Sequence, residues 1–155
     1  MTRLTLTTEG DHHLVVIRRF SAPPERLYRA HLDCELIQQW MLGPEGWSMP
    51  RCSCDARPGG TFRYEWVGDD GNGFHITGEF LELEPFRRIL HVERMHMPNP
   101  TPENRIETTF ESDGEGGTVL TARMNLPDAD TRAAMLESGM EEGMEASYVR
   151  LEELA

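Results

Sequence analysis

The sequence predicts an α+β domain: an antiparallel sheet of about seven strands, two short helices after the first strand, and one long helix at the C-terminal end. Three patterns carry this. Between residues 47 and 126 the chain reads as extended segments separated by short Gly-, Pro- and Asp-rich turns, which demands antiparallel pairing. Two helical stretches, together under 20 residues, follow the first strand. From residue 129 to about 153, apolar residues recur every three or four positions.

In chain order, residues 13–20 (HLVVIRRF) are rich in β-branched side chains and form the first predicted strand. Ser21 is placed as the cap of a helix over about 23–31, with Pro and Glu suiting its first turn. Asp33 caps a second helix over 34–40, ended by Gly43 and Pro44. Strands follow at 47–55 and at 61–67, where Phe62, Tyr64 and Trp66 alternate with Arg63 and Glu65. Further strands are predicted at 74–83, 88–96, 105–111 and 118–126. Pro98, Pro100 and Pro102 make a stiff loop before the fifth of these later segments closes the sheet. The final helix carries Ala133, Leu136, Met140, Met144, Tyr148, Leu151 and Leu154 on one face. It runs about 37 Å. It is the element large enough to cover the apolar face of the sheet, and the space it leaves is the expected pocket.

Composition excludes several chemistries. One domain over residues 1–155 can bury a core without a disulfide or metal. The formal charge of −12 repels phosphates, so nucleic acid and anionic membranes are not expected partners. No apolar run reaches the roughly 18 residues of a membrane span, and without a signal-like N-terminus a cytoplasmic location is expected. All 15 basic side chains are arginine, which excludes lysine Schiff-base chemistry and a P-loop. The three cysteines, 34, 52 and 54, are read as reduced thiols. The histidines lack ligand spacing, so neither a metal nor a cofactor is expected.

Five segments in order carry a family resemblance: RRFSAPPERLY at 18–28, QWMLGP at 39–44, DARPGGTFR at 55–63, GEFLELEP with RILH at 78–91, and SGMEEGMEASYVRL at 138–151. With them the chain resembles START-like (SRPBCC) proteins of the helix-grip fold. More closely, it resembles the bacterial single-domain members of the family named after the activator of the heat-shock protein 90 ATPase. The resemblance covers about residues 13–154. It implies a cavity between sheet and C-terminal helix for a small apolar or amphipathic ligand. Some superfamily relatives are cyclases or hydroxylase domains, and the family name implies a protein-interaction role at a chaperone.

The residues are open to two readings each. Tyr64, Trp66, Phe74 and Phe80 are core side chains or line the cavity. Trp40 and Trp47 flank the Gly43–Pro44 loop as anchors or as a lid. Gly139 and Gly143 sit within the predicted long helix, where they allow close packing or widen the cavity. Met140 and Met144 fill gaps or give an adaptable apolar surface. His91 and Glu93 share one strand face: turned inward they form an acid–base pair, turned outward they leave Leu90 and Val92 inside. The leading expectation is a non-enzymatic ligand binder lined by Trp40, Trp47, Tyr64, Trp66, Phe74, Phe80, Met140 and Met144. The alternative is a cyclase, hydrolase or dehydratase using His91, Glu93 and Tyr64. A homodimer is plausible on the general frequency of symmetric pairs.

Overall fold

The computed structural model describes residues 3–96 and 100–155. Pro98, part of the expected stiff loop, lies outside them. The order is β1 (Thr5–Glu9), β2 (His13–Phe20), α1 (Pro24–Ala30), α2 (Cys34–Trp40), β3 (Trp47–Cys54), β4 (Thr61–Gly68), β5 (Gly73–Glu84), β6 (Arg88–His96), β7 (Asn104–Ser112), β8 (Thr118–Asn125), α3 (Ala129–Glu137) and α4 (Met140–Leu154). The strands form one antiparallel sheet in the order β1-β2-β8-β7-β6-β5-β4-β3. From β3 to β8 each strand pairs with its sequence neighbour, as short turns require. The exception is the step from β2 to β3, which lie far apart in the sheet. Helices α1 and α2 carry the chain between them.

Eight strands are seen where about seven were expected. The addition is β1, an edge strand paired with β2, whose one apolar side chain, Leu6, gives no alternation to read. The inner face of the sheet carries Leu14, Val16, Phe20, Phe62, Tyr64, Phe80, Ile89, Ile106, Phe110, Leu120, Ala122 and Met124, all buried. Tyr148 and Leu151 of α4 close over them, with Leu27, Ile37 and Trp40 from the short helices.

The expected single C-terminal helix is two helices. Gly139 takes φ +82, ψ 21, a left-handed conformation that ends one helical run and starts another. α3 buries no side chain, and Leu136 is exposed. α4 alone holds the apolar face, over about 22 Å. Gly143 packs against Pro44 of the loop after α2, not against the sheet. That loop is pinned to α4 by the Gly43 N–H donating to Ser147 Oγ (2.8 Å) and by Arg150 Nη1 donating to the Gly43 carbonyl (2.7 Å).

The caps at Asp33 and Asp128 accept from Glu35 N–H (3.0 Å) and Thr131 N–H (2.7 Å). Ser21 does not cap α1. Pro23 holds that position, and the Ser21 hydroxyl and N–H are taken by Glu152 of α4. A charged contact between helix and sheet has displaced the local cap. On the outer face Arg63 and Glu65 pair at 2.8 Å along β4 rather than across strands.

The cysteine expectation is overturned. Cys34, first residue of α2, is disulfide-bonded to Cys52 of β3, with their Cα atoms 5.7 Å apart. Cys52 and Cys54 do share the inner face, but only Cys54 is a free thiol. Spacing along the chain could not reveal that α2 docks on β3. The bridge closes a sequence separation of 18 residues. Replacing both cysteines by serine is expected to lower stability by about 3 kcal/mol. A thermal scan should read this as a fall of roughly 6–12 °C. An unchanged midpoint would mean the bond does not constrain the chain.

Candidate functional site

The phase of β6 decides whether a polar site exists. Ile89, His91 and Glu93 face inward; Leu90 and Val92 face the other way. The register explains this. Phe80 sits opposite His91, and a bulge after Phe80 puts Leu83 opposite Ile89, so inward-facing residues meet across the pair. In the sequence both phases offered apolar side chains, so alternation alone left the choice open.

Inward-facing, His91 and Glu93 make a direct contact: Nε2 to Oε1 is 2.7 Å, with the side chains 15% and 21% exposed. A carboxylate only accepts, so Nε2 carries the proton in this contact. In the neutral ring Nδ1 is left with its lone pair. Nδ1 is buried and has no partner. Directly opposite Glu93 on β7 stands Asn104, 9% exposed, whose Oδ1 is also buried without a partner. Each orphan costs about 1–3 kcal/mol. These two are the buried side-chain polar atoms left unpaired among the described residues, and they lie on adjacent strands of one face.

Aromatic rings floor and roof this patch. Phe62 of β4 meets His91 edge-on at 5.3 Å, stacks with Tyr64 at 4.9 Å and lies tilted to Phe80 at 5.1 Å. It crosses β5 over Gly78, where a Cβ would overlap both the Phe62 ring and the Val92 carbonyl. Burial holds the Tyr64 phenol well above its usual range, and negative charge at Cys54 and Glu93 adds to this.

From above comes His31, just past α1, its ring 4.8 Å from Trp40 and 5.1 Å from Phe110. Its Nδ1–H donates to the Leu27 carbonyl at 2.7 Å. Burial lowers its pKa to about 4; the Leu27 carbonyl opposes the shift and His91 adds to it. The unfolded chain therefore binds a proton here before the folded one does. Stability from this group is complete above about pH 6.5 and falls as pH drops toward 4. The His31 ring resonances should stay those of a neutral imidazole from pH 8 to pH 5.5 in an NMR titration. A midpoint above 6 would contradict its burial.

The other sequence candidates extend outward from this patch, Trp40 against His31 and Trp66 edge-on to Tyr64 at 6.0 Å. Trp66 stacks on Phe74 (4.8 Å), which meets Trp47 edge-on (5.3 Å), and the Trp66 indole N–H donates to the Met41 carbonyl at 2.8 Å. These three form one cluster beneath the loop after α2. Trp40 is buried against Tyr148, with its indole N–H donating to the Ala30 carbonyl at 2.9 Å. Met140 and Met144 are partly buried against the core from α4.

Asn104, His31 and Phe62 were not singled out as site residues. Asn104 was legible: it lies two residues before Ile106, in phase with an alternation already read as inward. Two hollows stand out. One is an open groove of about 500 Å³ that opens on the outer face at Arg63, Thr77, Glu79 and Arg94 and reaches Phe62 and Glu93 of the patch. The other, about 110 Å³, lies by Glu84, Arg87 and Thr109. No described group of three His, Cys, Asp or Glu side chains is placed to hold a metal ion, and no described helix is long and apolar enough to cross a membrane.

A curved antiparallel sheet closed on one face by a C-terminal helix, with two short helices after an early strand, is the helix-grip arrangement of START-like proteins. Solved structures share it closely. A protein from Rhodobacter sphaeroides, 27% identical, superposes with a TM-score of 0.91 over 98% of this chain and 97% of its own. One from Nitrosomonas europaea, 26% identical, gives 0.83 over 95% and 96%. The AHSA1 protein from Silicibacter pomeroyi, 22% identical, gives 0.73 over 90% and 94%, which shows the fold alone. No curated protein sequence matches the chain. Residues 21–155 match the family model "Activator of Hsp90 ATPase homolog 1-like protein", and the chain belongs to that family.

Proposed function

We propose that the protein binds a small apolar or amphipathic molecule against the inner face of the sheet, beneath α4. The polar end would lie at His91, Glu93 and Asn104. The apolar body would lie among Tyr64, Phe80, Met140 and Met144, with Trp40, Trp47, Trp66 and Phe74 extending the lining. One observation carries the reading: two buried, unpartnered polar atoms lie on adjacent strands of the inner face. A purely structural core has no use for them, whereas a ligand can satisfy them. Burial of the apolar body would supply about 25 cal/mol per Å². The same proposal takes the protein as cytoplasmic, without nucleic acid or membrane as partner.

Native mass spectrometry of gently purified protein, against its denatured mass, tests this. A few hundred daltons lost on denaturation are expected. A protein whose native mass equals its chain mass, and which takes up no added apolar compound, would sink the reading.

A second reading has an observation of its own. His91 and Glu93 face inward and touch at 2.7 Å, the arrangement in which a carboxylate orients a histidine base. Tyr64 stands beside them. This suits a cyclase, hydrolase or dehydratase, and turnover lost in His91→Gln with binding retained would favour it. The protein-interaction module lacks such support: Arg63, Glu65 and Arg123 keep the outer face polar, with Arg123 paired to Glu9.

A further inference from the structure

The unpartnered atoms of the patch offer lone pairs, while the Asn104 amide and the Tyr64 phenol carry its donors. His91 has committed its Nε2–H to Glu93, so its orphaned Nδ1 accepts. The orphaned Oδ1 of Asn104 accepts. Glu93 is a carboxylate, and only its Oε1 is engaged by His91. His31, its Nδ1–H committed to Leu27, also turns a lone pair on Nε2 to its surroundings. Among the described residues no arginine pairs with Glu93. Arg18, the one arginine buried among the described residues, is held by Glu145 and Glu152 of α4.

Resting on the reading of this face as a binding site, we propose that it selects a neutral hydrogen-bond donor, a hydroxyl on an apolar body, and rejects anions. A carboxylate or phosphate would meet acceptors and a negative charge. A hydroxyl would give its proton to His91 Nδ1 and recover a hydrogen bond that the empty site lacks. The orphaned atoms are closed over, so entry requires side chains to yield. Met95, two residues beyond Glu93 on the same face, is a flexible one placed to do so.

The experiment compares three ten-carbon probes on the full chain at pH 8: 1-decanol, decyl methyl ether and decanoate. Isothermal titration gives affinities, and the ¹⁵N resonances of the histidine rings report Nδ1. The alcohol is expected to bind about tenfold more tightly than the ether, the worth of one recovered hydrogen bond. It should shift the His91 Nδ1 resonance, and decanoate should bind weakest. His91→Phe should erase the preference of alcohol over ether. Equal binding of alcohol and ether overturns donor selection while leaving apolar binding intact. Binding of none of the three overturns the reading of the face as a site. An alcohol preference that survives in His91→Phe, or leaves the wild-type Nδ1 resonance unmoved, overturns the assignment to His91. Should His91→Phe not fold, that wild-type resonance decides.

Discussion

Glu145→Ala is expected to destabilise the protein by about 3–5 kcal/mol. Glu145, on α4, faces Arg18, on β2, in the interior, with side chains 9% and 4% exposed. Arg18 Nε and Nη2 donate to the two carboxylate oxygens, each at 3.1 Å, and the Leu4 N–H donates to Oε1 at 2.9 Å. The guanidinium lies over the Phe20 ring at 4.8 Å. The contact fixes the covering helix to the sheet and to the chain before β1. Removing the carboxylate takes the two shortest ion-pair contacts from a buried guanidinium that also reaches Glu152 at 3.8 Å and the Arg19 carbonyl at 3.1 Å. Replacing both partners, as in Arg18→Met/Glu145→Leu, should cost far less, because no charge is stranded. Chemical denaturation of the three proteins checks this. A single variant no less stable than the double would contradict it.

The same pair contributes to acid sensitivity. Burial raises the Glu145 pKa, but the Arg18 hydrogen bonds, the Leu4 N–H and the Arg18 charge outweigh it and hold the carboxyl below its ordinary range. A depressed carboxyl contributes stability above its unfolded value, near 4.3, and loses it as pH falls through the folded value. His31 acts earlier, from about pH 6.5 down toward 4. Stability should therefore decline in two stages on acidification. Glu145→Ala should diminish the lower stage, to which Glu65, Asp70, Asp113 and Asp128 also contribute, and leave the upper one.

Phe62→Ala is the second large effect, also expected to cost about 3–5 kcal/mol. The ring is buried and touches Tyr64, Phe80 and His91. Its neighbour across the pair is Gly78, which has no side chain to collapse into the space. The void would open beside the orphaned Nδ1 of His91. The variant should thus lose both stability and the discrimination between alcohol and ether. A loss below about 1 kcal/mol would show that the sheet relaxes around the site.

The fold was legible because its signals are local. Period-two alternation at Phe62, Tyr64 and Trp66, and at Ile106 and Phe110, needed no knowledge of the rest of the chain. Caps at Asp33 and Asp128 act within three residues. Failures came where distant elements decide. Ser21 was drawn from its cap by Glu152, and Cys34 met Cys52 only because α2 docks on β3. The break at Gly139 was local, yet the apolar spacing runs straight through it. The site was half legible. His91, Glu93 and Tyr64 were named, but the phase of β6 depends on a bulge in β5. The aromatic list ran from the patch outward, because alternation gives a face and not a place along it.

Thermal unfolding of the double variant His91→Leu/Glu93→Met, with and without 1-decanol, tests most directly whether this patch is a site. Residues kept for binding cost stability, and apolar replacements of a buried polar pair are neutral or stabilising. The account predicts a midpoint at or above the wild-type value that 1-decanol no longer raises. A lower midpoint with an undiminished response to 1-decanol would contradict it, making His91 and Glu93 structural and placing any ligand elsewhere.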